Sequence, residues 1–388
     1  MVWSFSWLRG WDEVWDEAHL SQWRGAFLPG SGARVLPFMH PDVVRAWVRA
    51  HAALRPEPFF MTARHSDGRQ AQLLFVRLRS TWRRAYVRRM IAVGENLFDY
   101  NEPLVLPSPA GATDLGAEFW SAFFREMGRR AGRWFDTMPP LKLRDSSLGD
   151  AATGKPAEEA IRVFRLDRHA DAEAYLMSRS KPFRRAIRKA EKTLQGMGEL
   201  AFKVHGPDDL DAVMAWMPTF AAHRASRYPG SAPASAQERY FSILAQEGIA
   251  SGVVHCSSLT LDGRGLAWEV NFHVMGVFYR YACAFDADYV FVSTGSLLNF
   301  RNIEWLMANG AHTYDFMRGA ESYKDSWTDG ETVGLHRLDI PAAAALSRVR
   351  LTACDMLRRL GRTRPAPAAA QGWSGAAAAA GAVQAEPS

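Results

Sequence analysis

Residues 266–285 read LAWEVNFHVMGVFYRYACAF, and their pattern indicates the fold class. Apolar and polar residues alternate through its first half, which is the period of a β-strand. Gly276 separates two such stretches, so the sequence predicts two strands joined by a tight turn. The pattern that follows indicates a helix over 294–309 and a short strand over 312–316. This order predicts an α/β unit in which the first strand of the pair is central.

An earlier part of the chain repeats the plan of strand, Asp-Gly turn, two strands, helix and strand. The elements expected there are strands over 57–65, 70–79, 86–93 and 133–137, and helices over 41–54 and 113–131. The later copy adds a strand over 200–205 and helices within 207–246. Two copies of one α/β unit explain this order. A chance likeness stays open, because hairpins followed by helices are common.

The expected boundaries divide the chain into four ranges. They are a Trp-rich lead-in helix over 1–30, one unit over 31–170, a second unit over 171–340, and a C-terminal helix with its tail over 341–388. The tail from Pro365 onward is nearly all Ala, Gly and Pro, which favours disorder. The lead-in carries Trp3, Trp7, Trp11 and Trp15 at a spacing of four, which is typical of one helix stripe.

Composition excludes several classes of protein. The 388 residues are 48% hydrophobic and 23% charged, which is globular and neither fibrous nor mainly disordered. The formal net charge of +6 is too small to indicate nucleic-acid binding by itself. Three cysteines without a CxxC spacing argue against a disulfide framework or a zinc site. With no basic, apolar leader and no apolar run near twenty residues, a cytoplasmic location without a transmembrane segment is expected.

A strongly basic segment lies between the two units. Residues 178–192 read SRSKPFRRAIRKAEK, with seven cations and one acid, Glu191. One interpretation is a solvated helix face between domains, and the other is a strip that binds phosphate or nucleic acid. The sequence leaves both open.

Three polar side chains share one face of the predicted central strand. Glu269, Asn271 and His273 alternate with Trp268 and apolar residues. An exposed face would explain them, but a polar face on a central strand often lines a cleft. Glu269 and His273 lie about 13 Å apart along a strand, so either could serve as general base at a different part of one substrate.

Two further segments carry candidate binding groups. Ser293-Thr294-Gly295-Ser296 precedes the helix at 294, where free N–H groups and the helix dipole attract an anion. An ordinary helix cap is the alternative. The second segment, 315–327, reads DFMRGAESYKDSW, and either a ligand site or a loop held by salt bridges explains it. Its candidate substrate-binding residues, with Asn271 from the strand, are Asp315, Arg318, Glu321, Lys324 and Trp327.

These residues carry a resemblance to a known family. The order of hairpin, strand, Gly-containing loop, helix and strand is similar to that of GNAT acyltransferases. The chain more specifically resembles the CelD/BcsL type, which is related to FemAB-like tandem-GNAT enzymes. The stretches that carry the resemblance are Phe285-Asp286, Ser293-Thr294-Gly295, Ile303-Glu304-Trp305, Tyr314-Asp315-Phe316, Arg318 to Lys324 with Trp327, the basic segment, Leu36-Pro37-Phe38 and Asp99 to Leu104. It spans about residues 30 to 340 and is strongest over 265–327.

The resemblance implies an α/β (α+β) fold of two tandem GNAT-like domains, each a mixed central sheet flanked by helices. It implies acyl transfer from acetyl-CoA or another acyl-CoA to an amine or hydroxyl, often in cell-surface polysaccharide synthesis, without a metal. Ser293, Thr294, Gly295 and Ser296 would hold the CoA pyrophosphate. The strands over 277–285 and 312–316 would part to admit pantetheine. The N-terminal copy, with only Gly94-Glu95-Asn96 after its strand, would have lost donor binding and would shape the acceptor side.

The implied mechanism is direct attack of the acceptor on the thioester. Glu269 or His273 would remove the acceptor's proton, and Tyr323 would protonate the departing thiolate. Arg318 and Lys324 would hold a phosphate or carboxylate. Two alternatives stay open: a FemAB-like transferase that uses aminoacyl-tRNA, which would explain the basic segment, and a non-catalytic GNAT-like module that binds a sugar or a protein.

Overall fold

The chain folds into two units. The computed structural model describes residues 3–78, 87–95, 97–148, 157–228, 231–319, 321–340 and 345–360. One unit comprises the described residues of Met1–Glu159 together with those that follow from Gly334, and the other unit is Ala160–Val333. The predicted disordered tail from Pro365 lies outside the described residues. Mixed strands and helices confirm the α/β class; that the units are copies of one another stays a prediction.

The first unit contains a sheet in the order β1-β2-β3-β4, with β5 also pairing with β3. Its strands are β1 (Ser4–Leu8), β2 (Glu57–Arg64), β3 (Gln70–Leu78), β4 (Arg89–Ala92), β5 (Leu104–Leu106) and β6 (Leu141–Arg144). Its helices are α1 (Trp11–Val14), α2 (Glu17–Gly25), α3 (Pro41–Ala50), α4 (Gly116–Arg130) and α5 (Asp145–Leu148). All described pairs in the sheet are antiparallel. Large apolar side chains of β2, β3 and α4 form one core.

Two expectations for this unit are wrong. Ser4–Leu8 is a strand and not the start of a helix. A spacing of four also keeps side chains on one face of a strand, and Trp3 and Trp7 both pack on the sheet's core. The expected strand over 133–137 forms only isolated bridges, and the strand comes later, at Leu141–Arg144.

The second unit is built on six strands in the order β7-β12-β11-β10-β9-β8. They are β7 (Glu159–Arg165), β8 (Leu200–His205), β9 (Val254–Leu261), β10 (Arg264–Val274), β11 (Val277–Phe285) and β12 (Thr313–Asp315). The helices are α6 (Ala172–Ser178), α7 (Lys181–Gln195), α8 (Leu210–Arg227), α9 (Ala234–Gly248) and α10 (Thr294–Ala308). The β11–β12 pair is parallel, and the other described pairs are antiparallel. The predicted hairpin, helix and short strand are confirmed.

The helices α7 and α10 share a core with the sheet of the second unit. Ile187 and Leu194 of α7 and Leu297, Leu298 and Ile303 of α10 are buried in it. This packing fixes α10 across one face of β10 and β11. The site described below depends on that placement.

The last described elements are β13 (Thr332–Leu338) and α11 (Ala345–Leu360). β13 begins in the second unit and ends in the first, where Leu335 to Leu338 pair antiparallel with β6. Both elements were expected, over 333–340 and 342–360.

Candidate functional site

The polar face of β10 lies beneath a helix. β10 is central, since β9 and β11 pair with it on either side. The side chains of Glu269 and Asn271 are completely buried, and Asn302 of α10 reaches Glu269 from the helix. This part of the face is therefore a buried polar layer and not an exposed surface.

Glu269 accepts four hydrogen bonds. Its Oε1 accepts from Nε and Nη2 of Arg280, at 2.9 and 2.8 Å. Its Oε2 accepts from Nδ2 of Asn271 at 2.8 Å and from Nδ2 of Asn302 at 2.9 Å. A carboxylate has about four lone-pair positions, so these donors occupy all of them. The arrangement suits a fixed negative charge that holds Arg280.

Arg280 connects Glu269 to the predicted acid Tyr323. Its Nη1 donates to the hydroxyl of Tyr323 at 2.8 Å, and its side chain is only 9% exposed. Burial opposes the charge on Arg280, but the attraction of Glu269 outweighs it and raises the pKa of the guanidinium. Sequence reasoning missed this residue. The available signal was a lone arginine within the apolar strand over 277–285, beside a strand that carries a glutamate.

A β-bulge places Arg280. The pairing of β10 with β11 shifts between Val270 and Phe272, where β11 has one additional residue. Oδ1 of Asn271 accepts from the backbone N–H of Tyr281 at 2.9 Å, which satisfies a donor that the bulge takes out of the ladder. Asn271, a predicted substrate contact, thus joins the bulge to Glu269.

β11 and β12 pair only over a short length. Their parallel register runs from Val277 opposite Thr313 to Tyr279 opposite Asp315. Beyond Tyr279, no strand among the described residues pairs with β11 on that side. Arg280 stands at this point, so Tyr323 lies beside the place where the two strands stop pairing.

Tyr323 lies in a short 3₁₀ helix, Ser322–Ser326, and its side chain remains 39% exposed. Removal of water from around the hydroxyl raises its pKa, an effect that Arg280 partly opposes. Tyr323 therefore carries its proton at neutral pH. Cys283, Glu321 and Tyr228 are close enough to act electrostatically on it.

His273 is separate from this cluster. It lies four residues beyond Glu269 on β10, about 13 Å away along the strand, with its ring 6.4 Å from that of Trp305. Burial lowers its pKa, and His312 lowers it further, so the imidazole is neutral at pH 7. Its Nε2 is buried with no hydrogen-bond partner among the described residues.

The predicted anion site, residues 293–296, lies at the start of α10. Ser293 has a left-handed conformation with φ 50°, and its carbonyl accepts from the N–H groups of Ser296 and Leu297. Oγ1 of Thr294 is buried without a partner among the described residues. A Cβ on Gly295 would lie 3.1 Å from the ring of Phe285, so a larger residue would crowd this turn. Binding of a donor phosphate at this helix start stays a prediction.

Three of the predicted substrate contacts, Asp315, Lys324 and Trp327, instead make contacts within the protein. Oδ1 of Asp315 accepts from the N–H of Met317 at 2.7 Å. Lys324 is buried, and its Nζ donates to the carbonyls of Arg318 and Gly319 at 2.7 and 3.1 Å. Trp327 is also buried, in the core of the second unit.

The other two predicted contacts are less enclosed. Arg318 is half-buried, and the side chain of Glu321 is 37% exposed, with its Oε2 2.9 Å from Nζ of Lys324. The structure thus joins Glu269, Asn271 and Tyr323 through Arg280, and the loop after β12 contributes Glu321 nearby. The assigned roles of all these residues stay predictions. No three His, Cys, Asp or Glu side chains form a metal site within the described ranges.

The comparison with protein families identifies the domain that holds this site. Residues 181–325 match the family model of the acetyltransferase (GNAT) domain. This stretch contains α7, β8 to β12 and the site, so the part of the chain that holds the site is similar to GNAT acetyltransferase domains. The finer resemblance to the CelD/BcsL type stays a prediction. No curated protein matches the sequence.

Several solved structures are similar to this chain at low sequence identity. A conserved protein of unknown function from Bacteroides thetaiotaomicron VPI-5482 is 9% identical, with a TM-score of 0.50 over 82% of this chain and 97% of that chain. FemX is 11% identical, with a TM-score of 0.48 over 79% of this chain and 95% of its own. A tandem GNAT protein from the clavulanic acid biosynthesis pathway is 12% identical, with a TM-score of 0.45 over 88% of this chain and 100% of its own.

Proposed function

We propose that the second unit transfers an acyl group from acyl-CoA to an amine or hydroxyl. The observation that carries the proposal is the hydrogen-bonded series Glu269, Arg280, Tyr323 beside the point where β11 and β12 stop pairing. The GNAT domain match over 181–325 supports the reaction class. The Thr294 hydroxyl at the start of α10, which has no partner within the described ranges, supports a phosphate-bearing donor there.

Tyr323 acts as the acid in this proposal. The acceptor's nitrogen or oxygen forms a bond to the thioester carbon, the carbon–sulfur bond breaks, and the sulfur leaves with the electron pair. Tyr323 gives its proton to that sulfur and regains one from water. Arg280 limits the cost of the negative charge that forms on Tyr323, because it already donates to that oxygen.

Glu269 and His273, the two predicted bases, receive different roles. All four acceptor positions of Glu269 are occupied, so we assign it the positioning of Arg280. His273 is neutral and keeps an unpartnered nitrogen, as a base requires. At about 13 Å from Glu269 along the strand, it would take the acceptor's proton through intervening water.

For the acceptor, we propose an amine or hydroxyl of a saccharide, with acetyl-CoA or a longer acyl-CoA drawn from the cytoplasm as donor. The resemblance of the sequence to the CelD/BcsL type supports the saccharide. The expected acceptor role of the N-terminal unit belongs to the same proposal.

Donor binding and turnover test the proposal with the full chain. Acetyl-CoA and longer acyl-CoAs should give heat in calorimetry and raise the melting temperature, and thiol release with a panel of amino sugars and glycans should report transfer. Tyr323→Phe should lower kcat by roughly 10²- to 10³-fold, the usual contribution of a general acid, with little change in donor affinity.

Two results would overturn the assignment. The absence of heat and thermal shift with every acyl-CoA would favour a non-catalytic module. Transfer from a charged tRNA, without any from acyl-CoA, would favour the aminoacyl alternative. Wild-type turnover by Tyr323→Phe would remove Tyr323 as the acid while leaving the reaction class intact.

A further inference from the structure

The outer face of α7 carries a row of exposed cations. The residues that we call the basic face are Lys181, Arg185, Arg188, Lys189 and Lys192. The opposite edge of the helix, with Ile187, Ala190 and Leu194, is buried in the core. The apolar edge of this helix is therefore fully used within the domain, and its charges point to solvent.

Among the residues that the structure describes, most of this positive charge has no acidic partner. Arg188 pairs with Glu173, and Glu191, the one acid of the helix, is engaged by Arg301. In the described part of the chain, no carboxylate lies within ion-pair distance of Arg185, Lys189 or Lys192. Together with Arg188, Thr193, Gly196 and Met197, these three line an open cavity of about 550 Å³. Like charges held together without counter-charges repel one another, which an external polyanion would relieve.

Exposed apolar side chains flank the basic face. Met177 and Met197, just before and just after α7, are 51% and 48% exposed. Met177 is in contact with the basic face, because its sulfur lies 3.8 Å from Nη2 of Arg188. The 3₁₀ helix Ala287–Val292 packs against α7 and carries Phe291, which is 69% exposed. Cations bordered by protruding apolar groups are typical of a surface that meets both headgroups and acyl chains.

We propose that the basic face docks the protein on an anionic lipid membrane. The lysine and arginine groups contact lipid phosphates, and Met177, Met197 and Phe291 enter the boundary of the acyl region. Non-specific binding of single-stranded nucleic acid uses aromatic side chains on which bases stack. The flanking groups here are mainly methionines, which suit lipid better. No helix in the described ranges has the length and apolarity to cross a membrane.

Vesicle flotation with the full chain tests this proposal. The protein should float with vesicles of 70% phosphatidylcholine and 30% phosphatidylglycerol, and not with pure phosphatidylcholine. Each cation near an anionic leaflet changes the partition coefficient roughly fivefold, so Arg185→Gln/Lys189→Gln/Lys192→Gln should lower it on the order of 100-fold. Binding should also weaken at 1 M salt, where the Debye length falls to about 3 Å.

A matched control removes the same charge elsewhere. Arg64, Arg125 and Arg133 are exposed cations of the first unit, and their triple change to Gln should leave vesicle binding within about twofold of wild type. Met177→Ser/Met197→Ser should reduce vesicle binding severalfold without altering the charge. The serine side chains lack the apolar area whose transfer from water into the membrane favours binding. Circular dichroism and melting curves verify that each variant is folded.

Several outcomes would overturn the proposal. These are flotation that does not depend on phosphatidylglycerol, equal losses in the basic-face and control variants, and retained binding in the basic-face variant. Binding of single-stranded RNA that depends on the basic face, without vesicle binding, would show that the occupant is nucleic acid instead. None of these measurements needs acyl-CoA or turnover, so their failure is distinct from failure of the proposed acyl transfer.

Discussion

Arg280 links two residues of the candidate site, Glu269 and Tyr323, that do not contact each other through any described hydrogen bond. The guanidinium is nearly enclosed and uses three of its nitrogens, two on Glu269 and one on Tyr323. A buried arginine without its carboxylate would be an uncompensated charge. At the scale of the residue, stability and the proposed chemistry therefore depend on the same contacts.

Glu269→Gln should destabilise the protein by about 3 kcal/mol, because it leaves the charge of Arg280 buried and unpaired. Denaturant unfolding of the variant and the wild type measures this difference. Glu304→Gln is the control, because Glu304 forms a partly exposed pair with Arg301, and such pairs contribute roughly 0–1 kcal/mol.

A second variant separates stability from function. Glu269→Leu/Arg280→Met removes the unpaired charge, which should recover part of the lost stability; the amides of Asn271 and Asn302, which lose their acceptor, account for the remainder. It should not recover thiol release, because Tyr323 then lacks its donor. Equal stability of Glu269→Gln and Glu304→Gln would contradict the structural role assigned to Glu269.

The scale of the element is where sequence reasoning worked best, and its exceptions have definite causes. The β10–β11 hairpin follows from alternation, and α10 follows from its apolar spacing after a Ser-Thr-Gly segment; both are local patterns, although no side chain caps α10. Ser4–Leu8 was mistaken for helix because a four-residue spacing fits both periods. The predicted site included Glu269, Asn271 and Tyr323 but not Arg280, because a bulge in a strand pair is set by tertiary pairing and has no local pattern.

Gly276→Ala tests the turn of that hairpin. Gly276 has φ 73°, and a Cβ there would lie 2.6 Å from the ring of His312, so strain and a clash add together. Gly310 has φ 74° with nothing within 4 Å of its Cβ position, so Gly310→Ala introduces strain alone, about 1 kcal/mol. The free energy of unfolding, measured by thermal unfolding, should be lower for Gly276→Ala than for Gly310→Ala by at least about 1 kcal/mol. Similar values would mean that His312 moves aside at no cost.

At the scale of the whole molecule, buried histidines should make the fold sensitive to acid. Burial lowers the pKa of His255 in the second unit to about 4, and it also lowers the pKa of His40 in the first unit. Below a pH of about 6.5 the unfolded chain takes up protons that the folded imidazoles refuse. The stability that neutral His255 contributes is thus present above pH 6.5 and is lost as the pH falls toward 4.

Melting curves between pH 7 and pH 4.5 measure this loss. The free energy of unfolding should fall by roughly 2 to 3 kcal/mol for His255 alone over this range. His255→Gln keeps a side chain that can hydrogen-bond to Asn302, and its stability should depend less on pH. An identical pH dependence in the variant and the wild type would show that other groups determine acid sensitivity.

The position of β13 in the sequence affects the order in which the two units can fold during synthesis. The first unit contains residues from both ends of the described chain, and the second unit is an insertion between them. A nascent chain on the ribosome therefore cannot complete its first unit until the second has emerged. Until then, β6 lacks its partner strand β13, which follows the whole second unit in the sequence. No single cut within the described chain separates the two units intact. To produce the first unit alone, its two segments must be joined by a linker.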